Sequence, residues 1–216
     1  MALVALGGTM AVTGGTNGFD NAVAARAAVI RGAAGPAGTT AMQAVTTLGS
    51  FPAVIILTVL AAIGLWARTR RVPVSALLAA AVASAAGVVY LVQVALGRHR
   101  PLPDTVLGWA TSYSFPSGHT AYATVLYVLA ALIMMSGTTR PARWRLIVTA
   151  GVVLSILIGL SRIYLGLQWA TDVLAGWLLG LGIVALARFA DLRLEDLDLR
   201  PTSTADPAHA ARRLGA

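Results

Sequence analysis

Apolar and polar residues alternate along the chain in long blocks rather than at helical or strand spacing. Phe51 to Ala67 is the first apolar run long enough to be a convincing membrane span, and Arg68-Thr69-Arg70-Arg71 closes it. Val74 to Leu96 is the second, and it leads into Gly97-Arg98-His99-Arg100-Pro101. A long polar connection over residues 97 to 118 follows, then a third run from Thr120 to Met135 without a charge. Leu146 to Leu160 is the fourth run and ends at Ser161-Arg162; Trp169 to Ala187 is the fifth and carries Asp172 one turn inside. At about 1.5 Å per residue such runs approach the roughly 30 Å of a bilayer's hydrocarbon core.

The two ends read differently. Ala2 to Val12 is apolar but too short for an untilted span and lacks the basic flank of a signal peptide, so its helix either starts upstream or is short and tilted. Between Gly14 and Ser50 the chain is rich in Gly and Ala, with Asn21 to Arg31 predicted as an interfacial helix that Gly32-Ala33-Ala34-Gly35-Pro36 breaks. From Arg188 onward charges, Pro201, Pro207 and hydroxyl residues predict a solvated tail. Counting the first helix, the expectation is an all-α, polytopic membrane protein built as a six-helix transmembrane bundle over residues 1–190, with 191–216 a disordered cytoplasmic tail.

Composition agrees with that reading. The 216 residues are 57% hydrophobic and 11% charged, against about 25% charged in soluble domains. No cysteine is present, which removes disulfides and thiolate metal sites. All sixteen basic residues are Arg. A net charge of +8 would suggest nucleic acid in a soluble protein, but here the arginines cluster in short joints, where they report topology. Arg68, Arg70, Arg71, Arg140, Arg143, Arg145, Arg188 and Arg193 fall in alternate connections and the tail, which places those in the cytoplasm. Connections 14–50, 97–118 and 161–168 then share the opposite face.

Candidate chemistry gathers on that opposite face. Arg98, Arg100 and Arg162 run against the positive-inside bias, and Asp172 is a carboxylate inside an apolar helix, so a function has to account for them. Two arginines from separate loops, Arg100 and Arg162, suit a clamp on one phosphate. Pro116-Ser117-Gly118-His119 opens directly onto an apolar helix, where amides at Ser117 and Gly118 and the helix dipole favour an anion. His119 adds a group that can hold or release a proton near neutrality. Asp172 is four residues beyond position 168 and shares its helix face, so a carboxylate there would orient the side chain at 168. Plainer readings stand beside these: Arg98 as a headgroup contact, Ser117 as a simple helix cap, and Ser161 as a helix end. Gly176 and Gly180 are read as helix packing, and Trp109, Trp169 and Trp177 as interfacial or packing aromatics.

The spacing of these groups resembles the membrane-bound type 2 phosphatidic acid phosphatases, the PAP2 or lipid phosphate phosphatase family, whose signature runs KxxxxxxRP, PSGH and SRxxxxxHxxxD. Here the three parts read Gln93-x6-Arg100-Pro101, Pro116-Ser117-Gly118-His119 and Ser161-Arg162-x5-Gln168-x3-Asp172. The resemblance implies phosphate binding by Arg100, Arg162, Ser117 and Gly118, a general acid at His119, and an orienting carboxylate at Asp172. It implies hydrolysis of a lipid phosphate without metal or cofactor, through a phosphoenzyme, at the extracytoplasmic face of a bacterial inner membrane. Polyprenyl phosphates or diphosphates head the substrate classes, ahead of phosphatidic acid and phosphatidylglycerol phosphate. Its partners would be that lipid phosphate and membrane lipids, and no nucleic acid. Two positions depart from the signature. Gln93 stands for the phosphate-binding Lys, and Gln168 stands for the nucleophilic His, whose chemistry a carboxamide cannot perform because its nitrogen lone pair is delocalised. The intact neighbourhood of Gln168 favours an introduced, inactivating replacement that holds a ligand complex over natural loss. The alternative is a non-catalytic protein that binds a lipid phosphate.

Overall fold

The computed structural model describes residues 17–101, 113–135 and 140–199. Six helices fill them. Helix α1 (Asn17–Thr47) is bent at Gly35, whose φ of 63° and ψ of −163° leave the helical region just before Pro36. The predicted break is therefore a bend: the chain resumes its helix through Thr47, with Pro36 entering the second segment where its missing N–H costs little. Much of residues 14–50 is helix, not a loop carrying one short helix.

Helices α2 (Phe51–Thr69) and α3 (Val72–Leu96) each begin with a proline in the first turn. Both end in a left-handed residue: Arg70 (φ 56°), whose N–H bonds Trp66 O at 2.7 Å, and Gly97 (φ 62°), whose N–H bonds Gln93 O at 2.9 Å. Helix α4 (Gly118–Met134) follows the polar connection and contains one π-helical stretch, Thr124–Leu129. Helix α5 (Pro141–Tyr164) starts and ends farther out than its apolar run, so Arg143 and Arg145 are helical and Ser161 and Arg162 form its last turn. The loop expected over 161–168 shrinks accordingly. Helix α6 (Ala170–Leu199) continues well past Ala187, so residues 188–199, expected as part of a solvated tail, are helix; Asp191 is buried there and bonded to Arg188.

Helix α4 is the buried centre. Its Val125, Leu126 and Leu129 join Val54 of α2, Leu78 and Ala85 of α3, and Val184 of α6 in the main core. Close approach of α6 depends on two glycines. A Cβ at Gly176 would lie 2.7 Å from Ser117 O, and one at Gly180 would lie 2.6 Å from Thr124 Cβ. The small-residue reading of this pair holds.

Outward surfaces are apolar: Ile55, Ile56, Val59, Leu60 and Ile63 on α2, and Leu174, Leu178 and Leu181 on α6, are all exposed. Four helices are long and apolar enough to cross a membrane, with Gly118–Met134 a shorter fifth. Apolar surface on this scale is stable only in lipid, and the protein is an integral membrane bundle. The first predicted helix (Ala2–Val12), Trp109 and residues 200–216 lie outside the described residues.

Candidate functional site

The loop before α4 is held from several sides. Ser117 caps α4, its side chain accepting from Thr120 N at 3.3 Å. The Ser117 N–H donates to Asp172 O at 2.9 Å, which ties the loop to the first turn of α6. Buried Gln93 donates from Nε2 to Pro116 O at 3.0 Å. Gln168, also buried, donates from Nε2 to Ser114 O at 3.3 Å, while its Oε1 accepts from Ser117 Oγ at 2.5 Å. Both glutamines at signature positions therefore brace one loop.

His119 stands at the first turn of α4 under the positive charges of Arg162 and Arg100. Its Nε2 is buried and makes no hydrogen bond among the described residues. Arg162 is fully buried at the end of α5, and Arg100 reaches over to Leu167 O at 3.4 Å. The turn between them and α6 depends on Gly166 at φ 73°, whose N–H bonds Ile163 O at 3.0 Å. Arg100, Ser117, Gly118, His119, Arg162, Gln168 and Asp172 thus converge at one end of the bundle, with Gln93 beneath the loop. Cationic side chains and a helix N-terminus around an imidazole nitrogen make a setting for an anion.

Asp172 is engaged differently from the sequence expectation. Its Oδ2 accepts from Trp169 N at 2.9 Å, the return bond of a capping box at the start of α6. Its Oδ1 accepts from Arg98 Nη1 at 2.5 Å. The hydrogen bonds of Gln168 go to Ser117 and Ser114, so Asp172 does not orient this glutamine directly. A carboxamide that already satisfies a carbonyl and a hydroxyl on one side has no need of the carboxylate.

Sequence reasoning missed the partner that completes this arrangement. Arg98 Nη2 donates to Asp20 Oδ2 at 2.6 Å, and Asp20 also receives Thr171 N at 3.0 Å and Thr171 Oγ1 at 2.7 Å. Asp20, Arg98 and Asp172 are all buried. Arg98 also lies 5.6 Å over the Trp169 ring, whose Nε1 donates to His99 O at 3.0 Å. Arg98 is accordingly a buried ion-pair residue and not a headgroup contact. The signal for Asp20 was present, a lone acid in a Gly- and Ala-rich segment, but nothing in its neighbourhood pointed to a partner far along the chain.

Such a fold and site define a class: helical membrane proteins with a capped polar loop and converging arginines at one end of the bundle. The chain belongs to the PAP2 superfamily, whose model matches residues 77–192. That match includes all three signature parts but not Asp20. Among curated proteins it is similar to phosphatidylglycerophosphatase B of Bacillus subtilis, 36% identical over 87 residues, covering 39% of this chain and 42% of that protein. It is also similar to an undecaprenyl-diphosphatase of Sulfolobus acidocaldarius, 39% identical over 70 residues, covering 32% of this chain and 30% of that protein. The matched segments span less than half the length of these relatives. Among solved structures, a transmembrane PAP2-type phosphatidylglycerolphosphate phosphatase from Bacillus subtilis superposes with a TM-score of 0.76 at 24% identity, over 89% of this chain and 96% of that one. At that identity the likeness speaks for the fold.

Proposed function

We propose that this protein is a PAP2-type lipid phosphatase site that binds a lipid phosphate but, in the chain as it stands, cannot carry out the covalent step. The observation that carries this reading is Gln168, buried at the nucleophile's position and bonded to Ser114 and Ser117. Arg100 and Arg162 would hold the phosphate, and His119, with its Nε2 making no hydrogen bond to a described residue, would face the departing oxygen. General acid catalysis alone does not replace the missing nucleophile. The relatives' names point to a polyprenyl or glycerolipid phosphate. The Arg distribution supports a site facing away from the cytoplasm, and a bacterial inner membrane is the setting we propose for it. Because Gln93 and Gln168 brace the same loop, they favour a natural, non-catalytic lipid-phosphate binder over a lone introduced change.

The test is to measure binding and phosphate release on one sample, with purified protein in detergent and a panel of polyprenyl and glycerolipid phosphates. Saturable binding without release is expected. Rapid release from any member refutes the silent-site reading, and absence of binding across the panel refutes the phosphate site itself.

A further inference from the structure

The donor and acceptor arithmetic around Ser117 leads beyond the missing nucleophile. Gln168 Nε2 faces Ser114 O at 3.3 Å, and only the amide NH2 can face a carbonyl oxygen. That fixes the carboxamide, so the atom 2.5 Å from Ser117 Oγ is Oε1, an acceptor. Ser117 must therefore spend its one hydroxyl proton on Gln168. Its lone pairs are taken as well. Thr120 N donates to Ser117 Oγ at 3.3 Å, and Thr120 Oγ1, 2.7 Å away, has to be the donor in that contact. The Ser117 N–H is committed to Asp172 O. All four partners are within the protein, and Ser117 and Gln168 are both buried.

We infer that the Gln168 carboxamide oxygen occupies the place of a ligand oxygen on the Ser117 hydroxyl, so that a phosphate group must displace it to engage this loop fully. The inference rests on the phosphate-site reading above. It assigns Gln168 the role of an internal competitor that weakens anion binding, opposite in sign to a glutamine that donates to the phosphate.

Titration of the full-length protein in detergent with a short-chain lipid monophosphate tests this. Gln168→Ala and Gln168→Asn, the latter a methylene too short to reach Ser117, should each bind about tenfold tighter, the equivalent of one net hydrogen bond. In a Ser117→Ala background the same changes should give no gain, because the contested donor is gone. Unchanged or weaker binding in both single variants overturns the inference, and so does a gain that persists without the Ser117 hydroxyl. Loss of binding in every protein, the parent included, overturns the phosphate site together with it. Gln168→Asn keeps a polar group in the pocket, so a loop unsettled by alanine leaves the comparison intact.

Discussion

Removing Arg98 should be among the most damaging single changes outside the signature. One guanidinium serves two carboxylates, Asp20 at 2.6 Å and Asp172 at 2.5 Å. With Asp20 and Asp172 only 1% and 0% exposed, water cannot take over when the cation goes. Breaking a buried pair by deleting one partner costs roughly 3–5 kcal/mol. Remaining donors soften the loss: Thr171 N–H and hydroxyl for Asp20, and Trp169 N–H for Asp172. Arg98→Met, which keeps most of the packing volume, should therefore destabilise by about 4 kcal/mol. The cluster carries two acids and one base, so Asp20→Asn leaves a matched Arg98–Asp172 pair and should cost only about 1–2 kcal/mol. Combining the two should cost clearly less than their sum. Equilibrium unfolding in mixed micelles, titrated with a denaturing detergent, gives all three values. An Arg98→Met variant within about 1 kcal/mol of the parent, or an Asp20→Asn variant more damaging than it, would refute the ion-triad account.

Other expectations follow from single contacts. Gly176→Ala forces a Cβ to 2.7 Å from Ser117 O, and should cost about 1–3 kcal/mol and weaken phosphate binding. Gly182→Ala, with nothing within 4 Å, should leave thermal stability nearly unchanged, and equal effects at the two positions would contradict the packing argument. Arg162→Lys keeps the charge but loses the planar fork, so binding of a lipid monophosphate or vanadate should fall markedly; unchanged affinity removes Arg162 from the site. Single-cysteine labelling from outside intact cells should modify position 104 but not 143, and labelling at 143 would overturn the orientation.

Helix placement was largely legible because uncharged runs of membrane length leave few alternatives. Boundaries were less so: Arg143, Arg145, Ser161 and Arg162 are polar yet helical, since side chains at the ends of a span can lie in the interface or in a buried site without breaking the backbone. The bend at Gly35-Pro36 was marked by its residues, but not the helix beyond it, where Ala-rich sequence carries no strong period. Local motifs gave the site loop, because PSGH and its capping serine act within a few residues. Long-range partners did not appear. Asp20 meets Arg98 and Thr171 only after α1 is laid against α5 and α6. Pairing of Asp172 with position 168 was inferred from helical spacing, yet the glutamine turns to Ser114 and Ser117 instead. Gln168 lies in the bend before α6 begins at Ala170, off the helix, so the four-residue spacing does not put it on the face of Asp172.

The central claim is that the nucleophile is the missing group that silences this site, the glutamine at the phosphate-binding Lys position being tolerated. Phosphate release by the Gln168→His variant, in detergent or liposomes with the parent chain as control, tests it most directly. Asp172 Oδ2 can accept a second hydrogen bond, which would leave a new imidazole oriented for attack despite Arg98 on the other oxygen. Loss of a covalent nucleophile in hydrolases costs on the order of 10⁶ in turnover. The account predicts almost no release by the parent and a gain of several orders of magnitude in Gln168→His, abolished again by Asp172→Asn. A parent chain that already releases phosphate rapidly would contradict it, as would a Gln168→His variant that stays inert on every lipid phosphate it binds.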